Sequence, residues 1–228
     1  MTKTDAVRFG ILNLGNASRN NRMTMNVINN PNTGCDQHTL FPVLLPVPAE
    51  VAGFKPKDRV IFLSRHAREA LQISAKKSGV RIGKLVKNEN GVPQPFEGTF
   101  WSVTHKTQYV AGVAAPTPTG IDVERIRGFS DGLFKKTATD REWALADMAQ
   151  DPVTAFFRFW TAKEAVLKAT GIGIKDLLKC RVRQIIDDTH LRIHYERQDW
   201  LIEHFVFDRH IASIVKNRYR IDWSVEQR

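Results

Sequence analysis

Between residues 180 and 216 the stretches CRVRQII, LRIHYE, IEHFVF and HIASIVK follow one another with only short polar connections. Each is short and rich in β-branched, aliphatic or aromatic residues that alternate with polar ones, which reads as the strands of an antiparallel sheet. A chain that ends in such a sheet must cover its apolar face, and the preceding sequence offers helices for that purpose. Helical patterning occupies about 139–149 and 153–170, the second ending at the glycines of TGIGI. The pattern is α+β.

The N-terminal half repeats the theme. From Asp58 to Lys77 apolar residues recur at helical spacing, with Val60, Leu63, Ala67, Ala70 and Leu71 along one face. Arg65 and Arg68 are three apart and so neighbours on that helix. The apolar TLFPVLLPV is broken by Pro42 and Pro46, which restricts it to a short or edge strand. FWSVTHKTQYVAGVAA suggests two strands joined near His105–Thr107, or a strand and a short helix, and IDVERI a further strand. NENGVPQPFEG is a turn cluster, and the Asn-rich residues 13–38 read as irregular. PTPTG at 116–120 marks the boundary between halves, giving regions 1–116 and 117–228.

Lys and Arg outnumber Asp and Glu by 34 to 24 in 228 residues, a net charge of +10 that favours an anionic partner. Nucleic acid, a phosphorylated metabolite, an anionic membrane surface and an acidic protein all satisfy it. Cys35 and Cys180 form no CxxC pair and read as reduced thiols. MTKTDAVRFG lacks a signal-peptide core, and no run approaches the ~20 apolar residues that span a bilayer, so a cytoplasmic location is expected.

Three short segments carry residues with chemistry to do. In GIDVE, strand spacing sets Asp122 and Glu124 side by side on one face. Two such carboxylates repel unless a cation offsets them. Mg²⁺, which takes one or two carboxylates plus phosphates and waters, is one solution, and an exposed face whose acids meet Arg125 or Arg127 is the other. In WTAKEAVLKA, Glu164 and Lys168 stand one helical turn apart, with Trp160 one turn earlier on the same line. Phe156, Phe159, Val166 and Ala169 leave little of that helix for solvent, which suits a cleft rim better than an open face. In SVTHK, His105 follows a strand at a position from which it could donate to a phosphate.

In this order and spacing, SVTH at 102–105, GIDVE at 120–124, WTAKEAVLKA at 160–169 and GIG at 171–173 resemble the phosphopantetheinyl transferase superfamily, specifically its larger two-lobed, surfactin-synthetase-activating type. The resemblance covers residues 58–175 clearly and the β-rich tail more loosely, while residues 1–57 do not show the family's usual opening. It implies two pseudo-twofold-related α+β lobes, each a small antiparallel sheet packed on a long helix, and a Mg²⁺-dependent transfer of the phosphopantetheine arm of coenzyme A to a serine of an acidic apo carrier protein, releasing adenosine bisphosphate. Asp122, Glu124 and Glu164 match the metal-binding acids. Glu164 is also the matching base, and Lys168 the lysine on the pyrophosphate. His105 matches the histidine on the adenosine-side phosphate. Lys163 reads as a second phosphate contact or a surface residue, and Arg59, Arg65 and Arg68 fall where the family places basic residues for the nucleotide's phosphates. The partners implied are coenzyme A and a carrier protein, with no nucleic acid, no membrane and a monomeric state.

Two other readings stand beside it. A nucleic-acid-binding module would use the basic surplus, but the acids at 122, 124 and 164 would repel a phosphate backbone unless metal-loaded, and no recognition motif is present. A coenzyme A-binding family member without catalysis would serve a regulatory or structural role, against which the intact acids and lysine argue.

Overall fold

The computed structural model describes residues 39–146 and 151–226, which run in the order β1 (Thr39–Leu40), β2 (Val43–Pro46), α1 (Pro56–Lys77), β3 (Phe100–His105), β4 (Tyr109–Ala115), β5 (Ile121–Arg125), α2 (Asp131–Thr137), α3 (Asp140–Trp143), α4 (Pro152–Thr170), β6 (Arg181–Ile185), β7 (His190–Tyr195), β8 (Gln198–Phe207), β9 (His210–Val215), β10 (Arg220–Ile221) and β11 (Ser224–Val225). The Asn-rich segment 13–38 and Cys35 lie outside the described residues, as do residues 147–149 of the helix expected over 139–149; its described part is shorter than expected, since α3 ends at Trp143 and residues 144–146 form a turn. Among the described residues no helix is long and apolar enough to cross a membrane.

The tail forms the expected antiparallel sheet, joined by β5 at one edge in the order β5-β9-β8-β7-β6. A second sheet has the order β11-β2-β4-β3. Strand alternation then sorts the side chains into layers. Val110 and Ala114 of β4 face α1, while Ala111, Val113 and Ala115 face Ile121, Val123, Ala212 and Ile214 of the other sheet. On the far side of the five-stranded sheet, Leu191, Ile193, Ile202 and Ile211 pack against Phe156, Phe159, Ala162 and Val166 of α4. The order is helix, sheet, sheet, helix, with each small sheet on one long helix, and β3 and β5 as the free edges that meet at the seam.

β2 is short, as expected, and interior, between β4 and β11, because Pro42 and Pro46 fall at its borders and leave Val43–Leu45 free to pair. Two local expectations change. The β11 pairing is parallel, so this sheet is not purely antiparallel. Val60 is 58% exposed, since burial on α1 begins only at Leu63 and the first turns overhang the sheet.

Helix α4 is well delimited. Asp151 caps it by accepting from the Thr154 amide at 3.0 Å, Pro152 opens it, and Gly171 closes it in the left-handed conformation with φ 74°. A Cβ on Gly120 would fall on the Ala165 carbonyl, so only glycine lets the start of β5 lie this close to α4. Gly120→Ala is expected to push α4 off β5 and cost about 1–3 kcal/mol. Denaturant unfolding checks this, and an unchanged midpoint would contradict the close approach.

Candidate active site

The seam between the sheets places three elements side by side: the end of β3, the edge strand β5 and the α4 line Trp160–Glu164–Lys168. Edge strands have unpaired backbone groups, and here side chains supply partners: the Ser102 hydroxyl accepts from the Ile121 amide at 3.2 Å. Two residues on, the Thr104 hydroxyl donates to Asp122 Oδ1 at 2.8 Å. Alternation on β5 turns Ile121 and Val123 into the core between the sheets and leaves Asp122 and Glu124 facing α4, only 2% and 9% exposed.

Each of these buried acids meets a lysine. Lys168 donates to Asp122 Oδ1 at 2.7 Å and to the Ile121 carbonyl at 3.0 Å. Lys106 reaches Glu124 Oε1 at 2.6 Å, and the Trp160 indole N–H approaches the same oxygen at 3.2 Å. The pair expected within the helix, Glu164 with Lys168, is therefore replaced by a longer-range pair of Lys168 with Asp122. The arginines offered as partners for the strand acids, Arg125 and Arg127, are likewise replaced by lysines. Among the described residues no hydrogen bond or ion pair reaches Glu164.

The charges act on one another. Burial, then the neighbouring Asp122 and more weakly Glu124, push the Glu164 carboxyl above its ordinary value, against the opposing pull of Lys168 and Lys106. Burial disfavours the Lys106 ammonium, but Asp122, Glu124 and Glu164 together outweigh it and raise its pKa. The exposed His105 imidazole is held below its usual value by desolvation and by Lys168, Lys106 and Lys87. Neutral at physiological pH, it can donate one ring N–H to an anion.

Glu164 and Lys168 line a cleft of about 220 Å³ with Lys87, Asn90, Ser102 and Val103. A larger cavity of about 710 Å³, bordered by Thr117, Arg192, Trp200 and Arg218, contains none of Asp122, Glu124 and Glu164. No three Asp, Glu, His or Cys side chains among the described residues converge to hold a cation unaided. The donor set nonetheless fits Mg²⁺: the carboxylates are hard oxygen ligands, Asp122 Oδ2 is buried without a partner, and Mg²⁺ commonly completes its shell with waters and substrate phosphates.

Four expected contacts lie elsewhere. Lys163 is one residue from Glu164 and so about 100° around the helix, pointing away from the cleft. It is fully buried, with its ammonium 2.6 Å from Glu142 Oε1 and 2.7 Å from the Thr137 carbonyl, which rules out the expected phosphate contact. Arg59 donates to the carbonyls of Ala52 and Phe54, at 2.5 and 3.1 Å, and closes the turn before α1. Arg65 stands exposed with its guanidinium 5.6 Å from the Phe62 ring, and Arg68 is exposed on the same helix. None of the three is brought to the acids. Thr104, Lys106 and Trp160 are the contributors that sequence reasoning left out as partners of the acids. Their signals were thin: Thr104 shares a strand face with Ser102, and Trp160 shares a helix line with Glu164.

Residues 118–223 match the model of the 4'-phosphopantetheinyl transferase superfamily. That stretch contains Asp122, Glu124, Glu164 and Lys168 but not His105 or Lys106. The chain is 30% identical over 90 residues to the 4'-phosphopantetheinyl transferase gsp of Aneurinibacillus migulanus, covering 39% of this chain and 38% of the relative. It is 47% identical over 62 residues to the 4'-phosphopantetheinyl transferase HetI of a Nostoc species, covering 25% and 26%. The L-aminoadipate-semialdehyde dehydrogenase-phosphopantetheinyl transferase of Rattus norvegicus is 24% identical over 212 residues, covering 73% and 69%. The chain thus spans less than half the length of the first curated relatives it matches.

Proposed function

We propose, for a chain whose residues 118–223 belong to the 4'-phosphopantetheinyl transferase superfamily, that it transfers the phosphopantetheine arm of coenzyme A to a serine hydroxyl of an apo carrier protein. The observation that carries this reading is the linked set of charges beside one cleft: Glu164 and Lys168 line it, Lys168 pairs with Asp122, and the next acid on the strand, Glu124, pairs with Lys106. Such a cluster suits a reaction at a pyrophosphate, where negative charge gathers on oxygen. Three carboxylates so close need cations, and a metal-bound pyrophosphate brings its own.

In this reading Glu164 takes the proton from the serine Oγ, and its upward-shifted carboxyl suits a base that works near neutrality. The Oγ–phosphorus bond forms at the β-phosphorus as the pyrophosphate oxygen bond breaks, and adenosine bisphosphate leaves. Lys168 holds the leaving phosphate and supplies its compensating charge. His105 donates to a phosphate on the adenosine side. Asp122, Glu124 and Glu164 would hold Mg²⁺, which when bound offsets the charge of the pyrophosphate oxygens as a Lewis acid. Arg65 and Arg68 remain proposed contacts for the nucleotide. The two-lobed division at 116/117, the monomeric state and the cytoplasmic location belong to the same reading. The positive surplus of the sequence, +10, would steer an acidic carrier to the cleft.

Incubation with coenzyme A, Mg²⁺ and an apo carrier protein, followed by mass spectrometry of the carrier, tests the reading. A gain of one phosphopantetheine is expected. Coenzyme A binding without transfer to any of several carriers would favour a non-catalytic role.

A further inference from the structure

Lys106 belongs to no motif that carries the family resemblance, yet its ammonium pairs directly with one of the acids. It follows β3 directly, and its backbone is fixed by a hydrogen bond that its amide N–H donates to the Tyr109 carbonyl at 2.8 Å. Its ammonium lies 2.6 Å from Glu124 Oε1 and within electrostatic reach of Asp122 and Glu164. A monovalent cation thus already occupies an oxygen of Glu124. On the reading that this cleft takes Mg²⁺ with an anionic cosubstrate, we propose that Lys106 is a resident counter-ion that competes with the divalent cation for Glu124 and releases that carboxylate when a phosphate ligand arrives.

The two lysines of the site differ in how firmly they are held. Lys168 has two acceptors, the Asp122 carboxylate and the Ile121 carbonyl. Lys106 has the single carboxylate contact, and its side chain is 36% exposed where that of Glu124 is 12% exposed. A half-exposed ion pair is weak, and a flexible ammonium on a four-carbon stem can swing to another anion without disturbing the fold. Glu124 keeps a partner when the ammonium leaves, because Trp160 also donates to the same oxygen at 3.2 Å. Metal and anion should then bind with positive coupling: a phosphate that draws Lys106 away frees a ligand for the metal, and the metal frees Lys106 for the phosphate.

Calorimetric titration of Mg²⁺ into the full chain, with and without saturating coenzyme A, tests this on the wild type, Lys106→Met and Lys106→Arg. Without coenzyme A, Lys106→Met should bind Mg²⁺ about fivefold tighter than the wild type, the size of a partly exposed ion pair. Lys106→Arg should stay near the wild type. Coenzyme A should tighten Mg²⁺ binding more in the wild type than in Lys106→Met. In a Glu124→Gln background the gain from Lys106→Met should vanish. Mg²⁺ affinity that is unchanged or weaker in a folded Lys106→Met protein would overturn the inference, because a lysine that merely supports Glu124 gives that sign. A gain that persists without Glu124 would overturn it too, as a general effect of charge. Carrier modification by the wild type in either case would leave the transfer reading standing, whereas no Mg²⁺ binding and no modification would remove both.

Discussion

Glu164→Gln is expected to lower carrier modification by about 10²- to 10⁴-fold, the usual loss when a positioned general base is removed. The substitution keeps the size and hydrogen-bonding outline of the side chain, so packing on α4 should survive. Initial rates of carrier modification, followed by mass spectrometry, measure it, and near wild-type turnover would remove Glu164 from the chemistry. The same residue predicts a pH effect on the stability of the metal-free protein. A carboxyl with a folded-state pKa above its unfolded value stabilises the fold while protonated, and that contribution is lost as pH rises through the folded value. Without Mg²⁺, Glu164→Gln should therefore melt higher than the wild type at neutral pH. The gain should shrink as the solution is acidified through the carboxylate range. Loss of activity together with a higher melting temperature is a combination that mere misfolding cannot produce.

The cleft was legible in the sequence to the extent that local periodicity determines which way a side chain points. The two-residue spacing of Asp122 and Glu124 put both acids on one face, and the four-residue spacing of Trp160, Glu164 and Lys168 put those on one line. What periodicity does not contain is the partner across the seam. Lys106 with Glu124 and Lys168 with Asp122 are contacts between distant segments, decided by two sheet edges meeting, so the helix pair of Glu164 with Lys168 looked self-sufficient. The β7–β8 turn was also hard to read, because Glu196 and Arg197 both adopt positive φ without the Gly or Asn that announces such a hairpin. The two-residue strands β10 and β11 are too short for any alternation to show, yet β11 is what makes β2 an interior strand. Lys163 failed for a different reason. A lysine beside a cleft residue reads as a phosphate contact or a surface residue, yet one step along a helix turns a side chain by about 100°, here into the interior.

That step gives Lys163→Met the largest expected effect on stability. The wild-type ammonium is sealed between Glu142 and the Thr137 carbonyl, and it ties α4 to α2 and α3. Burial works against the Glu142 carboxylate, but Lys163 and the amides of Thr139 and Val182 more than compensate and hold its pKa low. Removing the lysine leaves a buried carboxylate with two amides and the Thr139 hydroxyl but no counter-charge, and breaking such a pair from one side costs about 3–5 kcal/mol. For a chain of this size that corresponds to a fall in Tm of roughly 10 °C. The deficit should narrow in acid. The low-pKa Glu142 stabilises the wild type above its unfolded value and ceases to as pH falls through the folded one, while the unpaired Glu142 of the variant can relieve its own cost by taking a proton. A phosphate contact at Lys163 would behave otherwise, leaving Tm unmoved and raising KM for coenzyme A. Differential scanning fluorimetry across pH, with KM measured below the variant's transition, separates the two, and the buried pair predicts a lowered Tm with KM for coenzyme A essentially unchanged.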